Sequence, residues 1–293
     1  MEHKSKKSLY LQEQIANAVF FTLGITNIIL VIMICLYLIF AGIPAIQEIG
    51  FFSFIFGTTW ASTASTPLFG IMPFILTSFY GTAGAILIGM PLGFLSAVYL
   101  SFFANDQIRR ISVGFVDLLA GIPSVIFGFM GMIVLIPLLR DLFNLPDGAS
   151  MLAAILVLSI MILPSIIKVT IVALESVPIE YRDGSLALGA NEVETYFKVV
   201  VPAAKSGIAA AFVLGVGRAI GEAMAVMMVS GNVANMPGLF ESVRFLTSAV
   251  ASEMSYSQGL QKEALFSIAL VLFFFIMIIN ATLNILLKKG LKK

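Results

Sequence analysis

The chain is 293 residues long, and hydrophobic residues make up 59% of it while charged residues make up only 11%. Soluble domains carry about 25% charged residues, so this composition excludes an ordinary soluble protein. The net charge of +1 is no sign of a nucleic-acid partner, because the basic residues lie in loops and tails rather than in a stripe. A single cysteine (Cys35) and a single histidine (His3, in a lysine-rich tail) support neither a disulfide nor a metal site.

Six apolar runs are long enough to span a membrane, since a spanning helix needs about 20 apolar residues. The first is too long for the apolar region of a signal peptide, and we expect an uncleaved anchor. Glycines and prolines interrupt the second and third runs, which indicates close helix packing or backbone that lines a cavity. The predicted spans are 17–43, 71–101, 113–138, 151–173, 207–231 and 264–287.

Lysine and arginine are distributed unequally between the two sides of this predicted bundle. One side receives Lys4, Lys6, Lys7, Arg109, Arg110, Arg182, Lys198, Lys205, Lys288, Lys289, Lys292 and Lys293, and the other only Arg140, Arg244 and Lys262. By the positive-inside rule, both termini are expected in the cytoplasm, and Lys168 is expected to snorkel to that surface. The predicted division is a cytoplasmic tail 1–16, a first transmembrane helix with its external loop 17–70, a core 71–287 and a cytoplasmic tail 288–293.

The predicted external loops are 44–70, 139–150 and 232–263. The first is aromatic and rich in serine and threonine, and its Trp60 is expected to anchor at the membrane interface or to pack against an external partner. The third carries Glu241, Arg244 and Glu253, and it either caps a pore or docks a partner protein.

The internal loop 174–206 is long and mixed in charge, and its pattern predicts a helix–turn–helix. A first helix begins after Pro178, Gly189 marks the turn, and a second amphipathic stretch begins at Glu192 and is expected to stop at Pro202. An amphipathic element of this kind either lies on the lipid surface or fits a groove in a soluble partner.

Two charges lie inside the fifth predicted span, where an ionised group costs roughly 2.5–3.5 kcal/mol. Arg218 lies about 11 residues into the span, which at 1.5 Å per residue is roughly 16 Å, the middle of the membrane. Glu222 would lie one helical turn further on the same face. Two interpretations follow: the pair lines a polar path for an anion, or it is a permanent clamp between helices. Asp117, near the inner end of the third span, is either a satisfied interfacial carboxylate or a gating or pairing group.

The internal loop resembles the cytoplasmic loop of ABC importer permeases, whose pattern is Glu-Ala-Ala, three residues, Gly, nine residues, Ile, one residue, Leu-Pro. Here the matching positions are Asp183-Gly184-Ser185, Gly189 and Val199-Val200-Val201-Pro202, so the spacing is kept while several residue types differ. The resemblance implies that about 180–197 is a coupling helix seated in a separate ATPase. The implied coupling residues are Asp183, Gly184, Ser185, Gly189 and Pro202.

Two further stretches resemble the permeases of phosphate importers. Residues 117–128, Asp-Leu-Leu-Ala-Gly-Ile-Pro-Ser-Val-Ile-Phe-Gly, are similar to the signature of their third span. Residues 217–226, Gly-Arg-Ala-Ile-Gly-Glu-Ala-Met-Ala-Val, with Gly231-Asn232, are similar to their fifth-span signature in the PstC-type subunit. Ala223 replaces the threonine that is usual after the glutamate. The likeness covers about residues 60–285.

This resemblance implies an all-α polytopic membrane protein with six transmembrane helices, of the type I (MetI-like) ABC importer permease fold, and a cytoplasmic coupling helix between spans 4 and 5. Residues 71–287 would be the permease core. The implied function is phosphate import through a path that includes Arg218 and Glu222. The implied partners are a PstA-type permease forming a heterodimer, a PstB-type ATPase dimer inside, a PstS-type binding protein outside and the bilayer of a bacterial or archaeal plasma membrane.

The chain is not expected to be an enzyme or to hold a cofactor. It lacks a Gly-x-x-x-x-Gly-Lys-Ser/Thr loop, so ATP and Mg are expected on the separate ATPase. An intramembrane hydrolase would need a nucleophile with a base or a metal site, and neither is present in the sequence. Import of sulfate, molybdate, a phosphonate or another polar solute by the same architecture, and a structural or regulatory scaffold, remain open.

Overall fold

The computed structural model describes the backbone of residues 2–291 and the side chains of residues 10–283 and 285. The expectations for His3 and for the side chains of the tail 288–293 lie outside these described side chains. The α-helices are α1 (Glu2–Ile49), α2 (Phe51–Phe56), α3 (Met72–Phe102), α4 (Asp106–Gly121), α5 (Ser124–Met130), α6 (Ile136–Phe143), α7 (Met151–Glu175), α8 (Ile179–Ala187), α9 (Glu192–Thr195), α10 (Val201–Ala203), α11 (Lys205–Gly221), α12 (Met224–Val229), α13 (Leu246–Glu253) and α14 (Gly259–Leu291).

Two π-helical turns and one small hairpin complete the fold. The π-helical turns, Gly131–Leu135 and Tyr196–Val200, join α5 to α6 and α9 to α10, and strands β1 (Trp60–Ala61) and β2 (Leu68–Phe69) pair antiparallel. Within residues 2–291, five helices are long and apolar enough to cross a membrane, and the bent pair Glu192–Ala203 and Lys205–Gly221 brings the number to six. The predicted all-α, multi-span architecture is confirmed.

Helix α7 is the centre of the bundle, and glycines let its neighbours approach closely. Helix α3 runs parallel to α7, and a Cβ atom at Gly89 would lie 2.6 Å from the Cδ1 atom of Ile162. Helix α11 runs antiparallel to α7, and a Cβ atom at Gly207 would lie 2.4 Å from that of Ala173. Real Cβ atoms do not come so close, so these glycines are required for the spacing of the helices. Close packing is thus the role of the α3 glycines, and α3 is continuous through Pro91.

The prediction of one helix over 113–138 is wrong, because the chain is interrupted at Ile122–Pro123. Pro123 has an extended backbone (φ −58°, ψ 142°) and separates α4 from α5. Proline lacks the N–H group that would continue the helix, which favours a break here, although α3 is continuous through Pro91. Helix α4 packs along α7, where Arg109 forms an ion pair with Glu175.

The prediction of one helix over 207–231 is also wrong. Helix α11 ends at Gly221, Glu222 has an extended backbone (ψ 128°), and α12 begins at Met224. Arg218 therefore lies in the last turn of α11, whereas Glu222 lies outside it. Their spacing of four residues does not place them on one helical face.

Helix α1 lies at the side of the bundle and is longer than the predicted span 17–43. It packs on α14, where the Ser267 hydroxyl donates a hydrogen bond to the carbonyl oxygen of Gly42. Most of its apolar side chains are exposed, so this helix presents its surface to lipid.

For Trp60, the sequence predicts an anchor at the membrane interface or a contact with an external partner. The structure instead places it in the core. It is 9% exposed and packs edge-on against Phe69. Its indole Nε1 donates to the Glu253 carboxylate over 3.2 Å, and Arg244 pairs with the same carboxylate. An unpaired buried carboxylate is costly, so Glu253 requires both donors. Its hydrogen bond with the indole N–H therefore holds Trp60 in place. We call Trp60, Arg244, Glu253 and Gln261 the Glu253 cluster.

Candidate functional site

Arg218 lies at the middle of the bundle, as its sequence position predicts. Its Nη1 atom donates to the Ser165 hydroxyl over 3.0 Å. Ser165 is 14 residues from Met151 and 10 from Glu175, which are about 21 Å and about 15 Å along α7. The guanidinium is therefore near the centre of a membrane-spanning helix and far from either end.

The surface around Arg218 is open on one side. Arg218 is half-buried, and a Cβ atom added at Gly217 or Gly221 would meet nothing within 4 Å. These glycines differ from those that pack against α7, because they leave free space rather than fill a contact. Arg218 is thus partly exposed, and its guanidinium has N–H donors in addition to the one that Ser165 occupies.

Glu222 makes a hydrogen bond with the backbone in place of the predicted pair with Arg218. Its Oε1 atom accepts a hydrogen bond from the Ala225 backbone N–H over 2.9 Å, which satisfies a free donor in the first turn of α12. Its backbone carbonyl accepts from the Thr247 hydroxyl over 2.6 Å. Among the described residues, no ion pair joins Glu222 to Arg218. The predicted pair is absent because the helix ends between the two side chains, and Glu222 caps α12 instead.

Two backbone breaks lie at nearly the depth of Pro164, a proline inside the continuous helix α7. Arg218 is level with Ser165, so the break at Glu222–Ala223 is about one turn from Pro164, or roughly 5 Å. The Ile122–Pro123 break is also level with Pro164, because Asp117 pairs with Lys168 one turn away on each helix. Non-helical backbone at membrane depth is tolerated where protein buries it or where it lines a water-filled cavity.

Asp117 and Lys168 form an ion pair of 2.6 Å with both side chains about half exposed. Lys168, predicted to snorkel to the surface, extends to this carboxylate instead. The pair lies about one helical turn from the Arg218 layer, on the side of the internal loop. Sequence reasoning missed the contacts of Ser165 and Lys168, because each depends on the register between α7 and a neighbouring helix.

The loop 174–206 forms the predicted helix–turn–helix. Asp183, Gly184 and Ser185 all lie in α8, and the Ser185 and Thr195 hydroxyls share a hydrogen bond of 2.9 Å. Gly189 forms the turn with a left-handed φ of 90°, and Leu188 beside it is 91% exposed. The tip of the loop therefore presents an apolar side chain to its surroundings.

Pro202 does not stop the second helix, contrary to the prediction. It lies at the start of α10, which continues through Ala203, and a bend of 71° then separates this segment from α11. Proline is tolerated at the first turn of a helical segment, where its missing N–H costs little. The bend at Ala204 lets the loop lie across the ends of the spans.

Tyr196 connects the loop to the bundle. Its ring is stacked on that of Phe102 with centroids 4.0 Å apart, and the Arg182 guanidinium lies 5.7 Å from the ring centroid on the loop side. Nearby, a hydrogen bond from Lys198 and one from the Asn191 backbone lower the pKa of Glu194, which keeps this carboxylate ionised. The loop is thus ordered by its own contacts.

Comparison with known proteins places these features in a family. Residues 89–289 match the family of binding-protein-dependent transport system inner membrane components. The probable ABC transporter permease protein YqgH of Bacillus subtilis is 37% identical over 83% of this chain and 82% of its own length. The phosphate transport system permease protein PstC of Pasteurella multocida is 31% identical over 87% of this chain and 85% of its own length.

The fold is also similar to that of a solved transporter. An inward-facing structure of the MetNI methionine ABC transporter superposes with a TM-score of 0.56 at 20% identity, over 75% of this chain and 94% of that chain. At this identity the likeness shows the fold alone, and that fold is the MetI-like permease fold. The match of the family over 89–289 and the relatives of similar length together decide the assignment: the chain is a multi-pass membrane permease subunit and belongs to the binding-protein-dependent transport system inner membrane components.

Proposed function

We propose that this chain is the PstC-type permease subunit of an ATP-driven importer of inorganic phosphate. The observation that carries the proposal is the mid-membrane Arg218, half-buried beside two open glycines and free of a carboxylate partner among the described residues. A charge kept at that depth is costly unless it faces a polar path or a ligand. The PstC relatives support phosphate as that ligand.

Arg218 suits a phosphate ion for chemical reasons. A guanidinium has five N–H donors in a rigid plane, and two of them match two oxygens of a phosphate. Ser165 holds one side of the group and leaves donors for the substrate. In this proposal Glu222 does not neutralise Arg218 in the empty path. It fixes the shape of the helix break by capping α12.

We propose that the loop 174–206 faces the cytoplasm and docks on a PstB-type ATPase dimer, which binds ATP and Mg. The charge distribution supports this orientation, with both termini on the same side. Asp183, Gly184 and Ser185 in α8 would meet the ATPase together with the exposed Leu188. Gly189 would set the turn of the loop, and Pro202 the segment that bends into α11.

The remaining partners follow from the same proposal. A PstA-type permease would cover the open side of Arg218 and complete the path as a heterodimer. A PstS-type binding protein would deliver phosphate at the other membrane face, in the plasma membrane of a bacterium or archaeon. The Asp117–Lys168 pair would lie between the Arg218 layer and the cytoplasm, where its opening could gate release.

The test is uptake of radiolabelled phosphate into proteoliposomes that contain the complex of this chain with its partner subunits. We expect uptake that needs ATP and that excess sulfate, molybdate and a phosphonate do not reduce. Uptake of radiolabelled sulfate or molybdate, but not of radiolabelled phosphate, would assign another oxyanion. ATP hydrolysis without uptake of any of these ions would refute the carrier and favour a scaffold.

A further inference from the structure

Helix α3 is the one long helix of the central group α3, α7 and α11 that has no covalent link to the loop 174–206. The loop continues directly from α7 and leads into α11. Its contact with α3 is made by side chains, at the end of α3 near Phe102. Any displacement of the loop therefore acts on α7 and α11 through the backbone, and on α3 through packing.

Tyr196 makes the aromatic part of this packing contact, beside Val177 and Val201 of the loop, which pack in the same cluster as Phe102. Its ring is 4% exposed, is stacked on Phe102 with an interplanar angle of 10°, and meets Phe103 edge-on at 5.5 Å. On the other side, Arg182 from α8 lies over the same ring. The residue before it, Thr195, shares a hydrogen bond with Ser185 of α8. Tyr196 is therefore held by α8 on one side and by the end of α3 on the other.

The opposite end of α3 contacts the segment that carries Arg244. The ring of Phe74 lies 5.8 Å from the Arg244 guanidinium carbon, and Ser78 accepts a hydrogen bond from the Leu246 backbone N–H over 3.0 Å. A Cβ atom at Gly81 would lie 2.5 Å from the Phe245 ring, so this ring is pressed against α3. Movement of α3 must therefore displace Arg244–Leu246 or break these contacts.

We propose that α3 transmits movement of the coupling loop to the Glu253 cluster, with Tyr196 as the positioning residue at its loop end. The proposal rests on the proposed function, in which an ATPase moves this loop. Helix α3 is unbroken, and Phe74 and Phe102 lie 28 residues apart in it, so about 42 Å of continuous helix joins the two contacts. Such coupling requires a structural element whose position both sites influence. Helix α3 has side-chain contacts with the loop at one end and with Arg244–Leu246 at the other.

The chain contains its own reporter for this coupling. Trp60 is its single tryptophan, and the indole N–H is bonded to Glu253 in the cluster. The complete complex is labelled with 5-fluorotryptophan, and Trp60→Phe identifies the resonance by its absence. The ¹⁹F shift of Trp60 is then compared with and without ATP and vanadate, which trap the ATPase.

We expect the wild-type resonance to move on trapping, and Tyr196→Phe, which keeps the ring stack, to retain that movement. Tyr196→Leu should lose at least half of the displacement while the ATPase still hydrolyses ATP, so the ratio of phosphate imported to ATP consumed falls. A merely structural role would lower hydrolysis and import together and leave that ratio unchanged. If Tyr196→Leu does not assemble, Phe102→Leu removes the same stack from the α3 side and is measured in its place.

A shift of the Trp60 resonance in Tyr196→Leu as large as in wild type would overturn the proposal. A loss of this shift in Tyr196→Phe equal to that in Tyr196→Leu would also overturn it. A wild-type complex that imports phosphate without any movement of the Trp60 resonance would overturn it too and leave the proposed function intact. A wild-type complex that neither hydrolyses ATP nor imports phosphate would instead refute the proposed function.

Discussion

Replacement of Arg218 by alanine tests the proposed path directly, because among the described residues the side chain has one hydrogen-bond partner, Ser165, and the surface beside it is open. Hydrogen bonds to charged groups contribute about 1.5–3 kcal/mol each. If phosphate takes two donors from the guanidinium, Arg218→Ala removes about 3–6 kcal/mol of transition-state stabilisation. At 1.36 kcal/mol per tenfold, uptake falls roughly 10²- to 10⁴-fold. Arg218→Lys keeps the charge but loses the paired donors, so we expect a smaller loss of about 10- to 100-fold.

The control is Ser165→Ala, which removes the internal acceptor of Arg218 and leaves the guanidinium in place. This hydrogen bond orients the guanidinium but does not contact the phosphate, so only part of its free energy is lost from the transition state and uptake should fall less than roughly tenfold. The assay is uptake of radiolabelled phosphate into proteoliposomes, normalised to the amount of assembled complex, which is measured by size-exclusion chromatography.

The reasoning is refuted if Arg218→Ala, at equal assembly, retains uptake within threefold of wild type. A clamp between helices or subunits gives a different pattern. In that case Arg218→Ala and Ser165→Ala both reduce the amount of assembled complex, and the complex that remains transports normally.

The remaining predictions concern stability and docking. Glu253→Ala leaves buried donors unpaired and should reduce the free energy of unfolding by about 3–5 kcal/mol, measured as a lower thermal midpoint of the purified complex. Its control, Asp141→Asn, lies in an exposed pair and should cost less than about 1 kcal/mol. Equal midpoints for the two variants would contradict this account. Gly207→Ala places a methyl group against α7 and should reduce the free energy of unfolding by about 1–3 kcal/mol, which lowers the thermal midpoint. Its control, Gly114→Ala, meets open space and should not lower it. Leu188→Ser should leave the midpoint unchanged, since the side chain is exposed. It should weaken binding of the ATPase about 10- to 100-fold in pull-down titrations, because an apolar contact is lost. Unchanged binding would argue against docking at the tip of the loop.

The apolar length of the spans could be read from the sequence because lipid imposes it locally. The predicted 71–101 and 151–173 agree with Met72–Phe102 and Met151–Glu175 to within two residues at each end. The glycines of α3 likewise indicated close packing, since small residues are what neighbouring helices require. Composition and spacing hold this information without reference to distant parts of the chain.

The errors arose where the local pattern was read as a continuous helix or where a distant partner decided the outcome. The charges at 218 and 222 have helical spacing, but the chain leaves the helix between them, and the Glu222 carboxylate then finds a backbone donor. Trp60 reads as an interface residue until Glu253, 193 positions later, supplies a buried acceptor. The depth of Arg218 could be counted along the span, whereas its contact with Ser165 depends on how α11 is rotated on α7.

The two backbone breaks and Pro164 of α7, all near one depth, have a mechanical consequence. At Ile122–Pro123 and Glu222–Ala223 the helical hydrogen bonds are already absent, and Pro164 has no N–H to offer the preceding turn of α7. Helices α4 and α11 can therefore tilt against α5 and α12 at this depth with little new bond breakage, whereas α3 is unbroken past the same depth and its two ends move together. Arg218 lies in the last turn before the second break, so bending at that break would reshape the open surface around the guanidinium without unwinding α11.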